Sequence, residues 1–362
     1  MNGNGYHIIT PQQFGAVGDG LTDDREAIMK AVRAASKQNA VLELLEATYA
    51  CFDWLEFDRV KIVSHNAKIL YYGFRLDAPA IQMYNDVEII GKLTVWANDD
   101  KQDHYGQRAG MAFGDFYTGD GSHGCHVEHI VLTGGITNAN GIVIVGDSSD
   151  IKIDRVTVPT GTNICRGVCI HWGNRRAHHT AEQIGTGFDP AMGEKGYVHD
   201  ENGGPTTHPH DIHLGVVDCA DFRPIDGRPD NDKSAVTICA SYDITVDEII
   251  MHDSCHALCV TGADLGFEYA APEVKKIGSR NIRVKKIFAT GLRSAGIFVC
   301  SRPWYLKDAN VNAKVQIDEC VLEAADGNRN VGVSVVGAEE IRLSKVIVKN
   351  YQYHNTDILI QK

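Results

Sequence analysis

The chain has 362 residues, more than the roughly 250–300 at which a single globular core stops growing, so it holds two domains or a fold that extends by repetition. Apolar residues at 43% exclude a disordered chain, and 36 glycines point to many turns. With 47 acidic against 35 basic residues the net charge is −12, which excludes nucleic acid as a natural partner and makes a strongly anionic polymer an awkward substrate without a local cationic patch.

No run of about 18 apolar residues is present, so no membrane span is expected. Residues 1–10 are polar and lack the apolar stretch of a signal peptide. The ten cysteines show no metal-type spacing, and several fall inside apparent strands. They read as buried thiols, not as a disulfide framework.

Residues 22–35 carry Ala27, Ile28, Ala31, Val32 and Ala35 at helical spacing, with Asp23 as the expected N-cap and Glu26 three residues on. The helix is expected to cover the open end of a repeat fold, in a capping unit spanning residues 1–40.

From residue 41 onward a polar residue followed by alternating apolar ones recurs. Copies start at Arg59, Asp86, Glu128, Asp150, Asp211, Asp243, Asn281, Lys314 and Glu340. Most carry a further apolar residue three positions after the motif, as Val156, Val217, Ile249, Ile287 and Val346 do. A second motif opens on a small residue and also alternates, starting at Ala80, Gly110, Gly141, Gly167, Ala235, Ala257, Gly296 and Gly332, with a last copy at Asp357.

Two period-two segments in strict order, repeated about nine times, predict an all-β chain, a single parallel β-helix of about nine coils. A βαβ alternative would need helices of about 10–15 residues in connections that are too short or too rich in Gly, Asp and Asn. In the second motif Ile144, Ile170 and Ile238 point inward. Val145, His171 and Cys239 point outward, in ladders unusually apolar for a wetted surface. A covering loop, a ligand or a neighbouring copy in a homotrimer is expected over them.

The stretch Phe14-Gly-Ala-Val-Gly-Asp-Gly-Leu-Thr-Asp-Asp-Arg-Glu-Ala-Ile28 resembles the opening motif of the pectate-lyase-like right-handed β-helix superfamily. That group includes polygalacturonases, exo-glucanases, alginate epimerases and phage tailspike depolymerases. The resemblance implies the fold and a polysaccharide or oligosaccharide partner, at an extracellular or virion-surface location. It does not select a reaction, and without a signal peptide the cytoplasm stays open.

Long insertions after both kinds of strand flank one outer ladder and are expected to wall a groove. Residues 172–210 form the longest. A glycosidic bond is usually hydrolysed by two carboxyls about 5–10 Å apart. Asp189, Glu201 and Asp211 are candidates from one side, Asp230 and Asp232 from the other, with His171 on the ladder where the insertion leaves. Hydrolysis is the preferred chemistry because acids outnumber candidate bases.

His208-Pro-His-Asp211 resembles the Asp-Pro-His-Glu segment of alginate epimerases. His210 and Asp211 match, while His208 replaces the acid and the upstream tyrosine is missing, so lyase or epimerase chemistry through His210 stands as the alternative, and a non-catalytic glycan-binding spike as a third reading. Trp172, Arg175, Arg176, His208, Trp304 and Tyr305 are the expected sugar-binding residues, through ring stacking and charged hydrogen bonds. No cofactor is predicted, although His208, His210 and His213, or Asp230 and Asp232, could hold a divalent cation. Asn355-Thr-Asp357 matches one polygalacturonase motif but lacks its companions and is read as coincidence.

Overall fold

In the computed structural model the described residues are 7–73, 79–97, 109–115, 120–134, 140–162, 164–171, 173–174, 177–178, 198–199, 206–220, 234–262, 278–300, 313–336, 338–352 and 358–361. Their strands form a right-handed parallel β-helix with two main sheets, one of 13 strands and one of ten. From Lys61 onward every coil contributes a long strand to the first sheet and a short one to the second. Ser149–Val158, His210–Ala220, Tyr242–His252 and Arg280–Leu292 are successive long strands; Asn140–Val145, Arg166–His171, Ser234–Cys239 and His256–Thr261 are short ones.

The inward side chains stack in register. Ile144 lies beside Ile170, Ile170 beside Ile238 and Ile238 beside Val260, all fully buried. The long strand breaks its alternation once. Ile151 and Ile153 point inward, Asp154 and Arg155 both point outward, and Val156 and Val158 point inward again. Two consecutive outward residues turn the strand around a corner, which explains the extra apolar residue three positions beyond each first motif. The long sheet is therefore two faces, and the coil has three sides.

The polar residue opening each first motif marks a second corner. Arg59, Asp86, Asp150, Asp211, Asp243, Asn281, Lys314 and Glu340 all adopt left-handed backbone, at φ between 46° and 56°. Asp and Asn tolerate that region better than other non-glycine residues. In the remaining coil the role passes to Gly124, at φ 66°. The copy expected to start at Glu128 therefore starts at Gly124, with His126 in register with Glu88 and Lys152. Glu128 lies at the outward bend. A glycine carries no polar side chain, so the pattern of polar starters hid this copy.

Just before that corner a buried serine recurs. The hydroxyls of Ser122, Ser148, Ser241 and Ser279 donate to the carbonyls of Met83, Val145, Cys239 and Thr261, at 2.6, 2.6, 2.9 and 2.8 Å. Each thereby satisfies a backbone acceptor at the end of a short strand. Pro209 takes the position in the coil that carries the longest insertion.

The structure adds an N-terminal coil that the motifs did not show, made of Val41–Leu44, Thr48–Cys51 and the short strand Leu55–Phe57. Leu55-Glu-Phe57 lacks the small starter residue. The helix spans Arg25–Gln38 and buries Ala27, Ile28, Met29, Ala31, Val32 and Ala35 against this coil. Its N-cap position is Asp24, not Asp23. Asp23 instead accepts from the amides of Arg25 and Phe52, and Glu26 pairs with Lys30.

Asp24 serves the turn before it. It is 1% exposed, and its carboxylate accepts from the amides of Val17 at 2.6 Å and Gly18 at 3.0 Å. Gly18 has φ 72°, and a Cβ there would stand 2.9 Å from Ala47 Cβ. The opening motif is thus a folding device that anchors the cap. Cys51, Cys125, Cys219 and Cys320 are buried thiols whose ionisation burial pushes up, to about 11 for Cys125 and Cys320.

Asp24→Ala removes both charge-assisted hydrogen bonds and strands two amides. We expect it to lower the unfolding free energy by about 3 kcal/mol in a denaturant titration. A loss below about 0.5 kcal/mol would show that the motif does not anchor the cap.

Candidate functional site

Connections of both kinds border the ten-stranded sheet, so the expected groove would run along its outer face. On the middle coils that face is not open. Ala109, Ala112, Val143, Val145 and Cys169 form a second apolar cluster, 0–4% exposed, and Thr237 and Cys239 beside them are also buried. On these coils the face is covered within a single chain.

Trp172, Arg175, Arg176, Asp189, Glu201, Asp230, Asp232, Trp304 and Tyr305 lie outside the described residues. His171, His208, His210 and Asp211 lie within them and gather where the longest insertion leaves and rejoins the solenoid. The insertion departs beside an antiparallel ribbon in which Gly173–Asn174 pairs with Thr206–Thr207, and Ala177–His178 with Val198–His199. His171 ends its short strand between Val145 and Cys239, 8% exposed.

His208 caps the next turn. Its Nδ1 lies 2.7 Å from the Ala240 carbonyl oxygen, which can only accept, so Nδ1 carries the proton and Nε2 holds the lone pair. That Nε2 is buried and meets no hydrogen-bond partner among the described residues. Burial lowers the proton affinity of His208, and the nearby Arg280 lowers it further, against the Ala240 bond and Asp147, which raise it. His208 is a neutral base near pH 7.

Two residues on, His210 stacks on Tyr242 of the following coil, ring centroids 4.8 Å apart and planes 10° apart. Its Nδ1 lies 2.8 Å from Asp211 Oδ2. Tyr242 is held protonated by burial and then by Asp147, Asp243 and Asp211, and Arg280 sits next to it in register. Asp211 itself occupies the left-handed corner, in the column of Asp150, Asp243 and Asn281. Its backbone role is that of a turn residue, and its carboxylate orients His210.

The sequence reading missed Tyr242, Arg280 and Asp147. Tyr242 and Arg280 precede a left-handed residue by one position, as His210 does, so stacking the copies column by column brings all three together. Among the described residues His213 pairs with Asp247 at 3.0 Å, His210 with Asp211 and His208 with a carbonyl, and no group of metal-binding side chains forms. Among the described residues no helix is long and apolar enough to cross a membrane.

A solenoid of in-register parallel coils, capped by a helix behind a glycine–aspartate turn and cut by long insertions at the margins of one sheet, is a right-handed parallel β-helix. Among solved structures, PfbA, a surface adhesin of Streptococcus pneumoniae, is similar at 13% identity and a TM-score of 0.61, over 98% of this chain and 82% of its own. A 1,3-alpha-1,4-beta-D-galactose-4-sulfate-3,6-anhydro-D-galactose-2-sulfate 4 galactohydrolase is similar at 14% identity and a TM-score of 0.52, over 91% of this chain. The matched region spans 60% of that enzyme's own length. No family model matches the sequence, and no curated protein does.

The tautomer and charge of His208 are directly measurable. In nitrogen–proton correlation spectra it is expected to stay neutral, with the proton on Nδ1, down to pH values below the ordinary histidine range near about 6.5. An imidazolium at pH 7, or a proton on Nε2, would remove it as a base.

Proposed function

We propose that the protein acts on a polysaccharide, and that the chemistry at the root of the longest insertion is removal of a proton beside a uronate carboxyl. The observation that carries this reading is His208, a neutral imidazole whose Nε2 lone pair is buried and meets no partner among the described residues. Proton abstraction needs a base that is unprotonated at working pH, a cation for the neighbouring carboxylate and an acid for the leaving oxygen. His208 supplies the first, Arg280 the second and Tyr242 the third.

In elimination the base takes the C5 proton and the C4–O4 bond breaks as a C4–C5 double bond forms. The departing glycosidic oxygen receives the proton of Tyr242. In epimerisation the carbanion at C5 is reprotonated from the opposite face instead. His210, stacked on Tyr242 and oriented by Asp211, is the alternative base.

Hydrolysis by paired carboxylates is the second reading, favoured by the galactohydrolase that shares the fold at a TM-score of 0.52. Asp154, Asp247, Asp318 and Glu319 do not supply its general acid, because their proton affinity is lowered. Its candidates are Asp189, Glu201, Asp211, Asp230 and Asp232. Glycan binding without catalysis is the third, by likeness to the adhesin.

A panel of uronate-containing and neutral polysaccharides separates the three. We expect ultraviolet absorbance from an unsaturated uronate, or deuterium uptake at C5 from heavy water without chain cleavage. His208→Ala should lower either rate at least about 100-fold with native circular dichroism, and Tyr242→Phe should suppress cleavage. The acid limb of the rate profile should fall below the ordinary histidine range, and the alkaline limb above the ordinary tyrosine value of about 10. Saturated products insensitive to His208→Ala would move the assignment to hydrolysis, and tight binding with no product to the adhesin-like reading.

A further inference from the structure

Past the outward bend, the second face of the long sheet changes character on its last four coils. Ile250, Phe288, Val321 and Ile347 are consecutive partners in register and all point outward. Phe288 is 41% and Ile347 40% exposed, and Ile250 and Val321 are half-buried. They make an apolar stripe along the solenoid axis, at the column that Thr157 and Asp218 fill with polar groups on earlier coils.

The column beside the stripe reads Glu248, Lys286, Glu319, Lys345, again in register. Signs alternate, and neighbours pair at 2.7 Å (Lys286–Glu248) and 2.6 Å (Lys345–Glu319). The next column, at the bend, reads Asp247, Lys285, Asp318, Ser344. The Glu248–Lys345 row carries no net sign that would select an acidic or a basic partner. The rows do have an order, and the order is self-complementary when reversed.

Let a second copy pack face to face about a two-fold axis that lies in the interface and runs along the strands. Coil order then reverses while each column meets itself. Glu248 faces Lys345 of the other copy, Lys286 faces Glu319, Lys285 faces Asp318, Ile250 faces Ile347 and Phe288 faces Val321. An axis along the solenoid instead lays the charged column on the column beyond the stripe. It sets Glu319 against Glu323 and Lys345 against Lys349, like on like.

We propose that this face is the contact of an antiparallel two-fold homodimer, centred between Phe288 and Val321. Four strands about 4.8 Å apart and three outward columns about 6.6 Å apart give on the order of 400 Å² per copy. That is about half of the ~800 Å² per partner of a stable complex, so the dimer is weak and exchanges with monomer. An isologous patch closes on itself and does not propagate into filaments. The contact is independent of the reaction assigned above, and glycan turnover measured separately keeps the two apart.

The test is sedimentation equilibrium of the full chain from low micromolar to near-millimolar concentration. Average mass should rise from one chain toward two. Phe288→Asp, a change at an outward position, should hold it at one chain with unchanged circular dichroism. Two charge-swapped forms give the decisive comparison: Glu248→Lys with Glu319→Lys, and Lys286→Glu with Lys345→Glu. Each alone should be monomeric at least ten-fold beyond the native midpoint, and mixing them should restore a dimer. A native chain that stays monomeric or forms trimers, or swapped forms that self-associate as the native chain does, would overturn the proposal.

Discussion

Everything in this molecule depends on the in-register parallel ladder. Each residue sits one strand spacing from the residue at the same position in the next coil, so the environment of a side chain is set by its column. Isoleucine on isoleucine builds the core, from Ile144 through Ile170 to Ile238. The same geometry forces backbone choices into columns: the left-handed corner recurs at Asp150, Asp211, Asp243 and Asn281 because a coil that missed it would carry its long strand out of phase and turn its apolar residues to solvent. The buried serines one corner earlier serve the same end, paying for closure by giving the last carbonyl of each short strand a donor.

On the outside, the ladder converts sequence identity into electrostatics. Like charges stacked one strand apart repel, and the column Glu248, Lys286, Glu319, Lys345 avoids this by alternation. His126 and Lys152 share the carboxylate of Asp154, and two coils on, a similar arrangement returns as His213 and Lys285 around Asp247. In both places partial burial raises the proton affinity of the aspartate, and the hydrogen bonds from its Lys and His neighbours lower it by more. These pairs are about a third exposed, so each adds little to stability. Their effect is on register, since a slip of one residue would put the partners on opposite faces.

Much of the architecture was legible because it repeats. Period-two alternation and the polar starter exposed the coils from Arg59 to Glu340, and the amphipathic spacing from Ala27 to Ala35 exposed the cap. The failures are local and have local causes. Gly124 satisfies the left-handed corner without a polar side chain, which shifted one copy to Glu128. Asp23 and Asp24 both suit a helix start by composition, and only the demand of the Val17 and Gly18 amides for a buried acceptor separates them. The site was less legible, because its members come from three coils. His208 and His210 stand out in sequence, but Tyr242 and Arg280 look like ordinary strand starts until the columns are aligned.

That alignment also explains how this corner gathers the groups of the proposed site. The left-handed residue fixes the backbone direction, so the residue just before it projects outward at the same angle in each coil. His210, Tyr242 and Arg280 are three successive occupants of one such column. Placing an imidazole, a phenol and a guanidinium there needs no change in the core, only substitutions at positions whose packing is already settled. The serine preceding this column is replaced by Pro209 in the coil where the long insertion rejoins, and immediately before it His208 reaches the Ala240 carbonyl across the turn. The imidazole thus fixes its tautomer with a hydrogen bond to the scaffold and keeps its basic nitrogen away from water, so a frame built for register positions the proposed base.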